Sequence, residues 1–220
     1  MDLFEAINEY ISSRLSSLPE IYHWNFNLTA FPDTEYNQIG NNSYERSRNL
    51  RNFIFNRLKD KSDQSDEFQI WYVTRWGGVR GNKPDTLNRY MNSSAEELVA
   101  LGEKGIASWS KILSLRNPLK YPIYDARVAI SLNSIQKKYN VSNPMFFPQL
   151  PSRNKKFVAK TQIEIKKSVF FRERSDPNFY LNYISILEKV TAVNVGFDIQ
   201  DAEMILFATA PTVSEIWESN

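Results

Sequence analysis

Between Ser94 and Leu115 the chain reads as one helix, a glycine-bounded turn and a second helix, and no other stretch constrains the fold as strongly. Ser94-Ala95-Glu96-Glu97 has capping-box spacing, in which the serine oxygen accepts an amide three residues on and the glutamate reaches back to the serine amide. Leu98 and Leu101 supply the apolar side of that helix. Gly102 and Gly105 break the pattern around Glu103-Lys104, and Ile106, Trp109, Ile112, Leu113 and Leu115 resume it. Pro118 and Pro122 end the second helix and hold the residues between them extended, so the chain enters Asp125 from a stiff connector. Val128, Ala129, Leu132 and Ile135 continue at helical spacing beyond it, which makes Asp125 an N-cap.

Helical periodicity also dominates elsewhere. Phe4, Ile7, Ile11 and Leu15 mark an amphipathic helix that Pro19 closes, and a loop rich in Asn and Pro follows over about residues 25–43. Leu50, Phe53, Ile54 and Leu58 mark a helix flanked by arginines. The aromatic run from Phe68 to Trp76 ends in Gly77-Gly78-Val79-Arg80-Gly81-Asn82, which holds three of the chain's seven glycines. Trp71 and Tyr72 read as core residues. Trp76, Arg75 and Arg80 fit either a buried segment with its connector or a nucleic-acid contact loop that combines stacking and cationic groups. Pro144, Pro148 and Pro151 mark a further loop, followed by a basic stretch and three helices, the last two opening at Asp198-x-x-Asp201 and Thr212-x-x-Glu215. The expectation is a mainly α fold, a single compact helical domain over 1–220.

Composition removes several chemistries. Without cysteine there is no thiolate nucleophile, disulfide, zinc knuckle or cysteine-held iron–sulfur cluster. A single histidine, His23, leaves no multi-histidine metal site, and beside Trp24 it reads first as a packed aromatic. No cofactor or metal is implied. With 27 Lys plus Arg against 25 Asp plus Glu, net charge permits nucleic-acid binding without announcing it. The basic residues do gather, at Arg46, Arg48, Arg51, Arg57, Lys59 and Lys61 and again from Arg153 to Arg174, as either a phosphate-facing side or solvated helix faces. Neither a signal peptide nor a membrane span is visible, so the expectation is a soluble, cytoplasmic protein.

Gly105-Ile106-Ala107-Ser108-Trp109-Ser110-Lys111-Ile112-Leu113, leading into Pro122-Ile123-Tyr124-Asp125-Ala126-Arg127-Val128-Ala129, resembles the core of helix-hairpin-helix DNA glycosylases, in particular the branch like 8-oxoguanine glycosylase. The resemblance covers about residues 94–135. It implies two helical lobes around a cleft, a hairpin that binds the DNA backbone, and an essential aspartate capping the helix after a proline-containing connector, the place of Asp125. The family hairpin carries glycines separated by one residue, whereas two residues separate Gly102 and Gly105. The lysine of the family's bifunctional members aligns near Gly105, which leaves Lys104 one residue early and Lys111 nearly two turns late.

The implied activity is excision of a damaged or modified base from double-stranded DNA, in repair or in defence against modified phage DNA, with no obligate protein partner. Breaking an N-glycosidic bond builds positive charge on the sugar, which Asp125 would stabilise while orienting a water. Lys111, if it reached the same carbon, would add Schiff-base chemistry; a lysine extending its amine to water from a helix edge gives the same sequence pattern. A base in a duplex must be flipped out and held, for which Trp76, Trp109, Tyr124 and His23 are candidate faces. Arg80 and Asn82 are candidates for the gap or the opposite base, and Arg153 and Asn154 for backbone phosphate or the pocket edge. Two alternatives stand beside this: a non-catalytic helical DNA-binding or protein-interaction module, in which Asp125 is simply a cap, and a hydrolase of free nucleosides or nucleotides.

Overall fold

The computed structural model describes residues 1–60, 63–152, 155–171 and 176–218. Among these the chain is mainly α and contains no strand: α1 (Leu3–Ser12), α2 (Leu18–Ile21), α3 (Ser43–Lys59), α4 (Ser65–Trp71), α5 (Pro84–Asn92), α6 (Ala95–Val99), α7 (Ile106–Arg116), α8 (Ala126–Lys138), α9 (Lys160–Lys167), α10 (Phe179–Val193) and α11 (Ile199–Val213). Two compact units share them, one made of Met1–Tyr22 with Tyr124–Asn220 and the other of His23–Ile123. The stretch 94–135 therefore runs across the division, with α7 in one unit and α8 in the other.

In the unit that contains both ends of the chain, α8 and α11 form the central pair, and α1 packs on α8, α10 and α11. Asp2 and Glu5 close a capping box at α1, which buries Ala6, Ile7, Tyr10 and Ile11. The expected extension of this helix through Leu15 to a stop at Pro19 is corrected: Leu15–Ser17 form a 3-10 turn, and Pro19 lies in the first turn of α2, where its missing amide costs no helical bond. At α11 the Asp198 carboxylate accepts the Gln200 and Asp201 amides, and Asp201 returns the bond to the Asp198 amide at 2.9 Å. No new helix opens at Thr212, because α11 continues past Pro211 to Val213 and tightens into a 3-10 turn at Ser214–Trp217.

Two buried side chains of α8 stitch the proline-marked loop to the helix. The Asn133 carbonyl accepts the Phe147 amide at 3.0 Å and its amide donates to the Phe147 carbonyl at 2.7 Å, while Gln136 makes the same pair of bonds to Met145, at 2.7 and 2.8 Å. Trp217 closes the other side of α8 by donating its indole N–H to Ser134 Oγ at 2.8 Å.

In the His23–Ile123 unit, α7 packs on α3 and α5. The core combines Leu50, Ile54, Phe68, Trp71, Tyr72 and Leu115, each side chain worth about 1.5–3 kcal/mol when fully buried. Residues 23–42 form no helix and are held by α4: Phe31 sets its ring edge-on to Trp71 at 4.8 Å, and the Trp71 indole donates to the Thr29 carbonyl at 2.9 Å. Trp71 and Tyr72 are core residues, as expected.

Apolar periodicity alone passes over α5 and shows α4 and the turn after it only as an aromatic run, although Pro84 at the first turn of α5, Asp85 behind it, and Leu87 and Tyr90 on one face are ordinary helix signals. The C-terminus of α5 is capped from a distance: the Arg116 guanidinium donates to the carbonyls of Tyr90, Met91 and Ser93 at 3.0, 2.6 and 2.7 Å. Those carbonyls belong to the last turn, which has no amide of its own helix to satisfy it.

Candidate active site

Asp125 is half-buried at the N-cap of α8 in extended backbone, and its Oδ1 accepts the amides of Arg127 and Val128 at 2.9 and 3.0 Å. Oδ2 takes no part in the cap. The stiff connector seen in the sequence lies between Asn117 and Asp125, where no helical residue occurs, so the carboxylate is presented at the positive end of the helix dipole.

Behind Asp125 the packing is aromatic. Tyr124 is fully buried, donates its hydroxyl to the Pro148 carbonyl at 2.8 Å, and sets its ring edge-on to Phe179 at 5.2 Å and to Tyr183 at 5.8 Å. Tyr183, also fully buried, is held protonated well above the usual tyrosine range by burial first and then by the charge of Glu203, with Tyr180, Asp125 and Tyr124 adding in the same direction. Arg127 covers the Phe207 ring at 4.6 Å. Periodicity along α10 and α11 marks Tyr183 and Glu203 only as helix positions; what brings them near Asp125 is tertiary packing more than 50 residues away in sequence.

In the other unit, the hairpin between α6 and α7 has the expected form, with Gly102 at φ 58° and Gly105 at φ 75°, both left-handed. The Ser94–Glu97 capping box is present at 2.7 and 3.2 Å. Trp109 is entirely buried and donates its indole to the Lys104 carbonyl at 3.1 Å, which pins the hairpin to α7. Trp109 and Tyr124 are therefore core anchors and not stacking faces, because neither exposes ring surface.

Lys111 is buried as well, which corrects its reading as a helix-edge lysine. Its side chain does not reach water: it is 3% exposed, and Nζ donates to the Ala107 carbonyl at 2.7 Å. The stem runs over Gly77 so closely that a β-carbon there would fall on Lys111 Cε and lie 2.7 Å from Cδ. Asn82 donates its amide to Ser108 Oγ at 2.7 Å and so ties the glycine-rich loop to α7.

That loop follows a π-helical turn, Tyr72–Trp76. Gly77 N–H bonds to the Tyr72 carbonyl at 2.8 Å and Val79 N–H to Val73 at 3.0 Å, with Gly78 left-handed at φ 66° between them. The glycines thus terminate a helix. Trp76 is buried at 6% exposure and lines a cavity of about 360 Å³ with Trp24, Asn25, Asn27, Arg75 and Arg80. Arg75 precedes Trp76 directly in the aromatic run and stands with Trp76 and Arg80 as the sequence groups them, whereas Trp24 joins them by long-range packing that no local spacing announces. His23 is exposed, which corrects its reading as a packed aromatic.

In the two basic stretches Arg46, Arg57, Lys59, Lys160, Lys166 and Lys167 are exposed, as solvated helix faces require, whereas Arg51 is not. Arg51 is fully buried and donates Nε to the Tyr72 hydroxyl at 3.0 Å, and Arg57 pairs with Asp33 at 2.7 Å. Lys160 pairs with Glu218 at 2.8 Å. Arg153 and Asn154 lie outside the described residues, as does Lys61. Among the described residues, no three His, Asp or Glu side chains gather as a metal site, and no helix is long and apolar enough to cross a membrane. Comparison with protein-family models, curated proteins and solved structures finds nothing that matches the chain.

Proposed function

We propose that the protein is a DNA glycosylase of the helix-hairpin-helix type that removes a damaged or modified base. The observation that carries this reading is the seating of Asp125: a half-buried carboxylate whose Oδ1 is fixed by two α8 amides while Oδ2 stays outside the cap. A carboxylate held in that way is preorganised for charge stabilisation, because the amides fix its position before any substrate arrives. The N-glycosidic bond breaks with its electron pair leaving on the base nitrogen, positive charge grows on the sugar, and a water oriented by Oδ2 adds at C1′ while the departing base takes up a proton. Lysine-dependent strand cleavage is the lesser version, since the Lys111 amine is engaged with Ala107.

The test is base release from duplex DNA carrying a panel of modified bases, read by mass spectrometry of the freed base. Purified protein is expected to leave abasic sites in at least one substrate, and Asp125→Asn to abolish release while keeping the fold. Full release by that variant would overturn the reading. One observation favours a second reading, a helical DNA-binding module without catalysis: Asp125 already serves as a complete N-cap, which is sufficient reason for an aspartate there. Salt-sensitive DNA binding with no base released from any substrate identifies that case.

A further inference from the structure

We propose that the cavity beside Trp76 is a binding site for a single unpaired nucleotide, recognised through its base and its phosphate. This inference concerns the His23–Ile123 unit alone and does not rest on the glycosylase reading.

The cavity has two chemically different ends. Its aromatic end is formed by Trp24 and Trp76, whose rings meet edge-on at 5.9 Å. Trp76 is fixed from behind, stacked on Tyr72 with ring centroids 4.2 Å apart and planes within 7°. Its other end is cationic: Arg75 and Arg80 line the cavity and also wall an adjoining depression of about 270 Å³ together with Thr74. Both arginines are exposed, and neither pairs with an acid or a carbonyl among the described residues. This separates them from Arg51, Arg57 and Arg116, whose guanidinium groups are committed within the unit.

A further polar group asks for a ligand. The Trp76 indole N–H is buried and has no acceptor among the described residues. Buried donors are nearly always satisfied, so the missing acceptor comes from outside the chain. A flat heterocycle with ring nitrogen or carbonyl acceptors supplies it and packs against the indole surface that borders the cavity. A phosphate on the same molecule supplies the anion for Arg75 and Arg80. The volume falls within the roughly 300–1,000 Å³ of small-molecule sites. The π-helical turn and its glycine cap hold the geometry in advance, since the Gly77 and Val79 amide bonds fix where the chain leaves Trp76 for Arg80.

The same chemistry has two sources, a free nucleoside monophosphate and an unpaired nucleotide within a DNA strand. The experiment separates them. The full chain is titrated with a deoxynucleoside, its 5′-monophosphate, orthophosphate and a short single-stranded oligonucleotide, following heat of binding and the indole N–H resonance of Trp76. For a free nucleotide, the monophosphate binds at least tenfold tighter than the nucleoside or orthophosphate, and the Trp76 resonance shifts. For a strand nucleotide, only the oligonucleotide saturates the site with that shift. In either case the double variant Arg75→Ala/Arg80→Ala, at two exposed positions, lowers affinity at least tenfold, and Trp76→Phe removes the resonance and weakens binding. No saturable binding, binding indifferent to the two arginines, or an unmoved Trp76 resonance overturns the proposal. None of these readings depends on base release.

Discussion

The Tyr90 hydroxyl occupies the space that a β-carbon on Gly105 would need, so the first residue of α7's approach is a glycine for steric as well as conformational reasons. Gly102, the other left-handed glycine of the hairpin, has open space around it. Gly102→Ala is therefore expected to cost about 1–2 kcal/mol, the left-handed penalty alone. Gly105→Ala adds displacement of Tyr90 and is expected to lower the melting temperature further. Thermal unfolding of the pair measures the difference, and Tyr90→Phe in the Gly105→Ala background recovers part of it.

Asp125 serves as cap and proposed catalytic group through different oxygens, which allows the two to be separated. Asn at this position keeps an oxygen for the Arg127 and Val128 amides, so Asp125→Asn is expected to unfold near the wild-type temperature. Asp125→Ala removes the cap and is expected to cost about 0.5–2 kcal/mol. Base release is expected to vanish in both variants. Equal destabilisation by Asn and Ala in urea unfolding would show that the cap bonds are not what holds this turn.

Lys111 and Gly77 form a packing pair, because the lysine stem fills the place of the absent β-carbon. Gly77→Ala is expected to destabilise the wild-type protein and to do so less in a Lys111→Ala background, with a coupling of about 0.5–3 kcal/mol in a double-mutant cycle. Lys111→Met keeps the stem and loses the bond to Ala107, and is expected to cost less than about 1.5 kcal/mol. With its amine turned onto its own helix, wild-type protein is expected to give no DNA adduct on borohydride treatment.

Burial raises the Tyr183 hydroxyl, and with it those of Tyr10 and Tyr36, above the ordinary tyrosine range. A tyrosine that holds its proton more tightly when folded contributes stability fully below its unfolded pKa of about 10 and loses it as pH rises toward the folded value. Urea midpoints are therefore expected to fall above about pH 10. The fall is expected to be shallower in Tyr183→Phe. Tyrosinate absorbance that rises before the unfolding signal would contradict the assignment.

Much of the helical framework is legible locally. The capping boxes at Ser94 and Asp198, the glycine hairpin and the N-cap at Asp125 all depend on residues within a few positions of each other, and the structure places each as the spacing implies. Errors fall where one residue type serves two ends of a helix. Pro19 opens α2 although a proline after an apolar run usually closes one, and Thr212 lies inside α11 because Pro211 near a helix end removes only a marginal bond.

The site is less legible, because exposure is a tertiary property. Trp76 and Trp109 are the same residue type in similar apolar company, yet one borders a cavity and the other is sealed in the core. Lys111 shows the same limit: a lone lysine in an apolar stretch looks like one that reaches solvent, and only packing reveals that its stem lies under Gly77. Trp24, and Glu203 and Tyr183, come from segments whose local spacing carries no sign of their neighbours.

The assignment of Met1–Tyr22 to the same unit as Tyr124–Asn220 has a consequence for how the protein is made. Domains form as the ribosome delivers them, N-terminal parts first. The His23–Ile123 unit has all of its residues as soon as Ile123 emerges, but α1 leaves the tunnel long before α8, α10 and α11, the helices against which it packs. Its buried face of Ile7, Tyr10 and Ile11 stays uncovered until α8, α10 and α11 have followed it out, so the unit bearing Asp125 closes after the His23–Ile123 unit can.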